Sequence, residues 1–131
     1  MSSPIVRTLP IDTRPAITRD QLRQYANASG DLKPIHLDDA VAKEKGLDSV
    51  IAHGMLSMAF LGDYLLAQFP TPKYQVTHFQ IRFRKMAVPG DVLRCEGEVT
   101  AESPVTIHVT LRTRNQRDEV TTDGEATLSI I

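Results

Sequence analysis

The spacing of apolar residues changes from helical to alternating near residue 70. Before that point, residues 4–9 mix apolar and polar types in the manner of an edge strand. Thr18 and Gln21 form a capping-box pattern. Leu22, Tyr25, Ala26 and Ser29 then recur at helical intervals, with Gly30 as a stop. In the following loop, DLKPIHLDD, Pro34 biases Lys33 away from helical geometry. Asp38 and Asp39 suit the start of a short helix running to Lys45, which Gly46 ends. Between residues 53 and 69, Met55, Leu56, Met58, Phe60, Leu61, Tyr64, Leu65 and Leu66 cover nearly the whole helical circumference. That pattern predicts a helix buried on all sides, ended by Pro70 and Pro72.

After the prolines the period is two. Phe79, Ile81 and Phe83 alternate with Gln80, Arg82 and Arg84. Leu93, Cys95, Gly97 and Val99 follow a Pro89-Gly90-Asp91 turn, and Val105, Ile107, Val109 and Leu111 follow a break at Ser103-Pro104. Gly124, Ala126, Leu128 and Ile130 line one face of a last strand. Four antiparallel strands after one apolar helix predict an α+β single hot-dog fold, a curved sheet wrapped around that helix. The whole chain, 1–131, reads as one domain. Open sheet edges need cover, and pairing edge to edge across a two-fold axis supplies it. A homodimer is therefore expected, with a heterodimer with another hot-dog subunit as the other option.

Composition removes several alternatives. The net charge is -1, and no basic face or tail suggests nucleic acid or a membrane surface. The longest apolar run, residues 55–61, is far short of a membrane span. The start lacks the apolar core of a secretory signal. One cysteine, Cys95, excludes an internal disulfide framework and points to a reducing, cytoplasmic setting.

Chemistry concentrates in the first half. Asp31 and His36 lie on one loop, five residues apart, with Pro34 stiffening the path. A carboxylate and an imidazole there can converge on one water and move its protons. Gly54, at the start of the long helix, can offer a free backbone N–H with the helix's partial positive charge behind it. A thioester carbonyl placed there would be polarised. Each of these residue types also has a purely structural use, as turn, surface or packing residue, and spacing alone leaves both readings open. His53 orients the loop, caps the helix or contacts substrate. Arg82, Arg84 and Lys85 form a basic group suited to phosphates or an acidic carrier protein, or simply a solvated face. The histidines lack metal-ligand spacing, so neither a metal nor another cofactor is expected.

The stretch GDLKPIHLDDAVAKEKGLDSVIAHGMLSMA, residues 30–59, resembles the MaoC-like (R)-specific enoyl-CoA hydratases and (3R)-hydroxyacyl thioester dehydratases. Their motif reads G-D-x-N-P-I-H-x-D, then a short helix, a glycine and A-H-G-M. The resemblance implies a hot-dog dimer acting on acyl-CoA or acyl-carrier-protein thioesters in fatty acid metabolism. It casts Asp31 and His36 as the catalytic pair and Gly54 as the oxyanion donor. The family's asparagine is Lys33 here. A lysine there can pair with Asp31, point to solvent or meet substrate phosphates. The resemblance leaves two further readings: a hetero-dimeric dehydratase subunit or acyl-binding module without its own turnover, and a hot-dog thioesterase.

Overall fold

The computed structural model describes residues 5–131. Two short strands, β1 (Arg7–Thr8) and β2 (Asp12–Thr13), open the described chain. The expected edge strand at residues 4–9 is thus reduced to β1, residue 4 lying outside the described residues. β2 went unforeseen because two residues carry no period.

Helix α1 (Arg19–Ser29) begins where Thr18 Oγ1 accepts the Gln21 N–H at 3.0 Å. It ends at Gly30 with φ +81°, a left-handed conformation open to glycine at little cost. A single 3-10 turn, Pro34–His36, leads into α2 (Asp39–Glu44), capped by Asp38 Oδ1 accepting the Ala40 N–H at 2.9 Å. Helix α3 (Gly54–Gln68) is the long apolar helix. The sheet follows as β3 (Tyr74–Phe83), β4 (Arg94–Glu102), β5 (Thr106–Arg114) and β6 (Val120–Ile130).

All strand pairs are antiparallel, in the order β1-β4-β5-β6-β3, with β2 also on β4. Only β4, β5 and β6 follow one another as a meander. β3 pairs with β6, with Phe79 opposite Ala126 and Phe83 opposite Thr122. The segment from β3 to β4 therefore crosses between strands that are not neighbours. The Pro89-Gly90-Asp91 turn serves this crossover, with Gly90 N–H donating to the Ile17 carbonyl at 2.7 Å.

Leu56, Phe60, Leu61, Tyr64 and Leu65 of α3 pack into one core with Cys95, Val99, Ile107, Val109, Leu111, Ala126 and Leu128 of the sheet. Each large side chain so buried contributes about 1.5–3 kcal/mol. Val105, counted in the sequence pattern as a core position, stays exposed just before β5. Tyr64 spans the core to donate its hydroxyl to the Pro10 carbonyl at 2.5 Å, and burial pushes that phenol up to about 12.

The helix is not enclosed on all sides. Met55 is 56 % exposed and Leu66 47 %. The sheet wraps one side of α3 only, so its apolar circumference exceeds what one chain can cover. Phe83 and Met86 are also more than half exposed, at the end of β3 and just beyond it. β3, bonded only to β6, leaves its other edge open.

Candidate active site

The loop after α1 brings Asp31 and His36 together. Asp31 N–H donates to Ser29 Oγ at 3.2 Å, and His36 N–H to the Lys33 carbonyl at 3.0 Å, closing the turn that Pro34 begins. The segment before α3 fastens this loop from the other side. Ile51 N–H donates to the Ile35 carbonyl at 3.1 Å, and His36 Nδ1 donates to the Ile51 carbonyl at 2.8 Å. A carbonyl only accepts, so Nδ1 carries the proton and neutral His36 keeps its lone pair on Nε2. That Nε2 lies 3.7 Å from Asp31 Oδ2. The gap exceeds a hydrogen bond, so the two atoms face a shared position rather than each other alone. His36 is buried and the Asp31 carboxylate half-buried.

His53 stands behind the pair and not in it. It is 2 % exposed, donates Nε2–H to the Asp31 carbonyl at 3.0 Å, and stacks on His36 with ring centroids 3.8 Å apart. The Tyr25 ring meets its edge at 4.8 Å. Substrate contact, one of the expectations for this residue, does not fit such burial. His53 orients the loop, holding the Asp31 backbone and the plane of the His36 ring.

Gly54 follows at the first position of α3, beside His36 in a cleft of about 230 Å³ that Ser57, Phe83, Arg84 and Met86 also line. A Cβ at Gly54 would come within 3.2 Å of the Phe83 ring, so glycine keeps the approach to this backbone open. The residue is in position to offer its N–H at the helix's positive end.

The predicted basic group divides. Arg84 lines the cleft, its Nε donating to both Asp123 carboxylate oxygens at 3.2 Å. Arg82 points instead into a separate groove on the outer face of the sheet, with Gln80 and Arg112. Alternation along β3 sends Arg82 outward, and the strand ends before Arg84. Lys85 pairs with Glu119. Arg84 and Lys85 also border a larger groove of about 600 Å³ that continues from the cleft past Ile51 and Met86. Lys33, 72 % exposed, places its ammonium 3.9 Å from the same Asp31 Oδ2 that faces His36. Of the residues singled out in sequence, the fold therefore gathers Asp31, Lys33, His36, His53, Gly54, Arg84 and Lys85, and leaves Arg82 apart.

Asp31, His36 and His53 each bring one candidate ligand atom within 4.8 Å of the others. His36 Nδ1 and His53 Nε2 are committed to carbonyls. The remaining lone pairs lie in ring planes inclined by only 21° and stacked 3.8 Å apart. Two such lone pairs do not converge on one ion at the ~2.0 Å a zinc–imidazole bond requires. Cys95 offers no nucleophile, since burial first and Asp12 second push its thiol up to about 12.

Two contributors escaped the sequence reading. One is the Ile51 carbonyl, which sets the His36 tautomer and carries no side-chain signal. The other is Ser57, a buried polar residue in an apolar helix, which was legible as an exception three residues after Gly54.

A curved antiparallel sheet packed on one helix, with a carboxylate and an imidazole 3.7 Å apart near that helix's first residue, defines a hot-dog protein with a polar cleft at the head of its long helix. The chain belongs to the MaoC like domain family, whose model matches residues 4–122. An (R)-specific enoyl-CoA hydratase of Rhodospirillum rubrum is 29 % identical over 115 residues, 87 % of this chain and 80 % of that protein. The unliganded R-hydratase PhaJ1 of Pseudomonas aeruginosa superposes with a TM-score of 0.84 at 32 % identity, covering 92 % of this chain and 78 % of its own. The ChsH1-ChsH2 complex of Mycobacterium tuberculosis shares the fold, with a TM-score of 0.85 at 19 % identity over 97 % of this chain and 98 % of its own.

Proposed function

We infer that this chain is a hydro-lyase that reversibly adds water to trans-2-enoyl thioesters of coenzyme A or acyl carrier protein, forming (3R)-hydroxyacyl thioesters in fatty acid metabolism. The observation that carries the reading is the 3.7 Å approach of Asp31 Oδ2 and His36 Nε2 next to the cleft that His36 and Gly54 share. The family match and the names of the relatives support the reaction and its R sense.

The thioester carbonyl lies on Gly54 N–H, which draws electrons from the double bond. A water touching Asp31 Oδ2 and His36 Nε2 is oriented by the carboxylate. Its oxygen bonds to the β-carbon, its proton passes to the pair, and the pair returns one proton to the α-carbon. No net proton is gained or lost, and dehydration is the reverse. Asp31 takes the water proton and His36 is the acid–base partner. Lys33 stands at the mouth as a substrate contact. Arg84 does so at the entrance to the larger groove, where a phosphate or an acidic carrier would lie. Arg82, on the outer face, has no part in this pose. No resident metal or other cofactor is needed.

The whole chain, residues 1–131, acts as one dehydratase domain. Its open β3 edge, together with exposed Met55, Leu66 and Phe83, calls for a covering partner, for which the reading takes a second copy of the chain. The lone buried thiol agrees with a cytoplasmic setting, and among the described residues no helix is long and apolar enough to cross a membrane.

The purified chain is expected to hydrate crotonyl-CoA, followed as loss of enoyl absorbance, and Asp31→Asn is expected to lower that activity by about 10²- to 10⁴-fold. Undiminished activity in that variant overturns the site assignment. Release of free thiol instead of hydration would make the protein a thioesterase. Native mass spectrometry tests the dimer, and an isolated monomer without activity would return the hetero-dimeric subunit.

A further inference from the structure

The buried face of α3 is apolar except for Tyr64 and Ser57. Tyr64 is matched by the Pro10 carbonyl. Ser57 is 5 % exposed, and its hydroxyl has no hydrogen-bond partner among the described residues. A helical serine often bonds back to the carbonyl four residues earlier. Here no such bond forms, and the His53 carbonyl receives the Leu56 N–H at 3.0 Å. The hydroxyl borders the cleft with its bonding capacity unused by the protein, so what enters the cleft can supply its partner.

Ser57 lines the same cleft as His36 and Gly54. It follows Gly54 by three residues, and residues so spaced are neighbours on one helix face. Helical side chains lean toward the N-terminus, which directs the hydroxyl toward the Gly54 end. The other hydroxyl lining the cleft, that of Thr122, is already bonded to Thr113 at 2.6 Å.

We propose that Ser57 O–H is a second hydrogen-bond donor to the thioester carbonyl oxygen, acting beside Gly54 N–H. The inference rests on the hydratase reading above. As water bonds to the β-carbon, the displaced electron pair moves onto the thioester oxygen, and two fixed donors hold that charge better than one. Ser57 keeps its proton throughout and forms no covalent bond. The role also explains why an otherwise apolar surface carries one serine at this position.

The test compares wild type, Ser57→Ala and Ser57→Thr in crotonyl-CoA hydration, with thermal melts as folding controls. Ser57→Ala is expected to lower kcat about 10- to 100-fold with KM within about twofold, and Ser57→Thr to retain most of the rate. The infrared carbonyl band of bound thioester is expected to move to higher frequency in Ser57→Ala, which a packing role would not produce. If Ser57→Ala fails to fold, Ser57→Cys, with its weak donor, takes its place and must show the same loss and band shift. An active wild type with an equally active Ser57→Ala, or an unmoved carbonyl band, overturns the second donor and leaves the hydratase reading standing. A wild type without hydratase activity overturns both.

Discussion

Two buried polar clusters sit at different places in this molecule, and they differ in one respect. Around the β5–β6 turn the buried residues Thr113, Asn115, Thr121 and Thr122 and neighbouring Asp91 all have hydrogen-bond partners, while among the described residues Arg94 Nε alone is buried there without one. Thr113 Oγ1 lies 2.6 Å from both Thr121 and Thr122 hydroxyls. Asn115 Oδ1 accepts the Arg117 and Glu119 N–H groups at 3.0 and 3.1 Å. Asp91 accepts from Val88 N–H at 3.1 Å and Gln116 Nε2 at 2.9 Å. In the cluster around Asp31, by contrast, His36 Nε2 meets only a distant carboxylate and His53 Nδ1 is buried with no partner. Ser57 adds a hydroxyl without a mate. Folding favours satisfied polar groups, so the first cluster stabilises the turn that shapes the sheet. The second keeps bonding capacity for a ligand.

The contrast is broken or sharpened by substitutions on each side. The largest effect is expected from the unmatched cluster. Asp31→Asn and His36→Ala should each lower kcat/KM by about 10²- to 10⁴-fold. Asp31→Asn, being isosteric, should leave the thermal midpoint nearly unchanged, and a large drop there would make the cluster structural. Next comes the matched cluster. Asn115→Ala removes the acceptor of the Arg117 and Glu119 N–H groups and should cost about 0.5–1.5 kcal/mol in denaturant unfolding. Its activity per folded molecule should equal wild type, and a selective loss of activity would erase the distinction.

Gly54→Ala brings a methyl against Phe83 and narrows access to the backbone donor. A roughly tenfold fall in kcat/KM is expected, about 1.4 kcal/mol, measured alongside Gly54→Ala combined with Phe83→Leu. Recovery in the double variant assigns the loss to crowding.

The smallest effect lies on the outer face of the sheet, where Arg112 pairs with Glu98 and Glu96. The Arg112 hydrogen bond foremost, with Thr110 helping, holds the Glu98 carboxyl below its ordinary value of 4.5. The folded state thus binds that proton less readily than the unfolded chain. The stabilisation is complete above about pH 4.5 and is lost as pH falls through the depressed folded value. Glu98→Gln should cost about 1 kcal/mol at pH 7, and the difference from wild type should close in acid. A gap that stays constant with pH would remove the ion pair as its cause.

The elements were mostly readable because each carries its own period or punctuation. The capping Thr18, the stop at Gly30, the apolar α3 and the alternating strands β3 to β6 are local signals. Asp31, His36 and Gly54 were readable as a spaced motif. What failed were statements needing a partner from elsewhere. Arg82 and Arg84 look alike in sequence, yet one faces a separate outer groove and the other the cleft. His53 looked able to meet substrate and is enclosed by Tyr25, His36 and the Asp31 carbonyl. α3 looked fully buried and is covered on one side.

The amino-acid order alone determined the helix and strand types, the capped loop carrying Asp31 and His36, and the glycine at the head of the apolar helix. These follow from backbone preferences and hydrophobic period, which act over a few residues. The tertiary structure decided the β3–β6 pairing, the His36 tautomer set by the Ile51 carbonyl, and the unpartnered Ser57 hydroxyl facing Gly54's cleft. Each of these depends on contacts between distant segments, and a hydrogen bond made or withheld across the fold leaves no mark on local sequence.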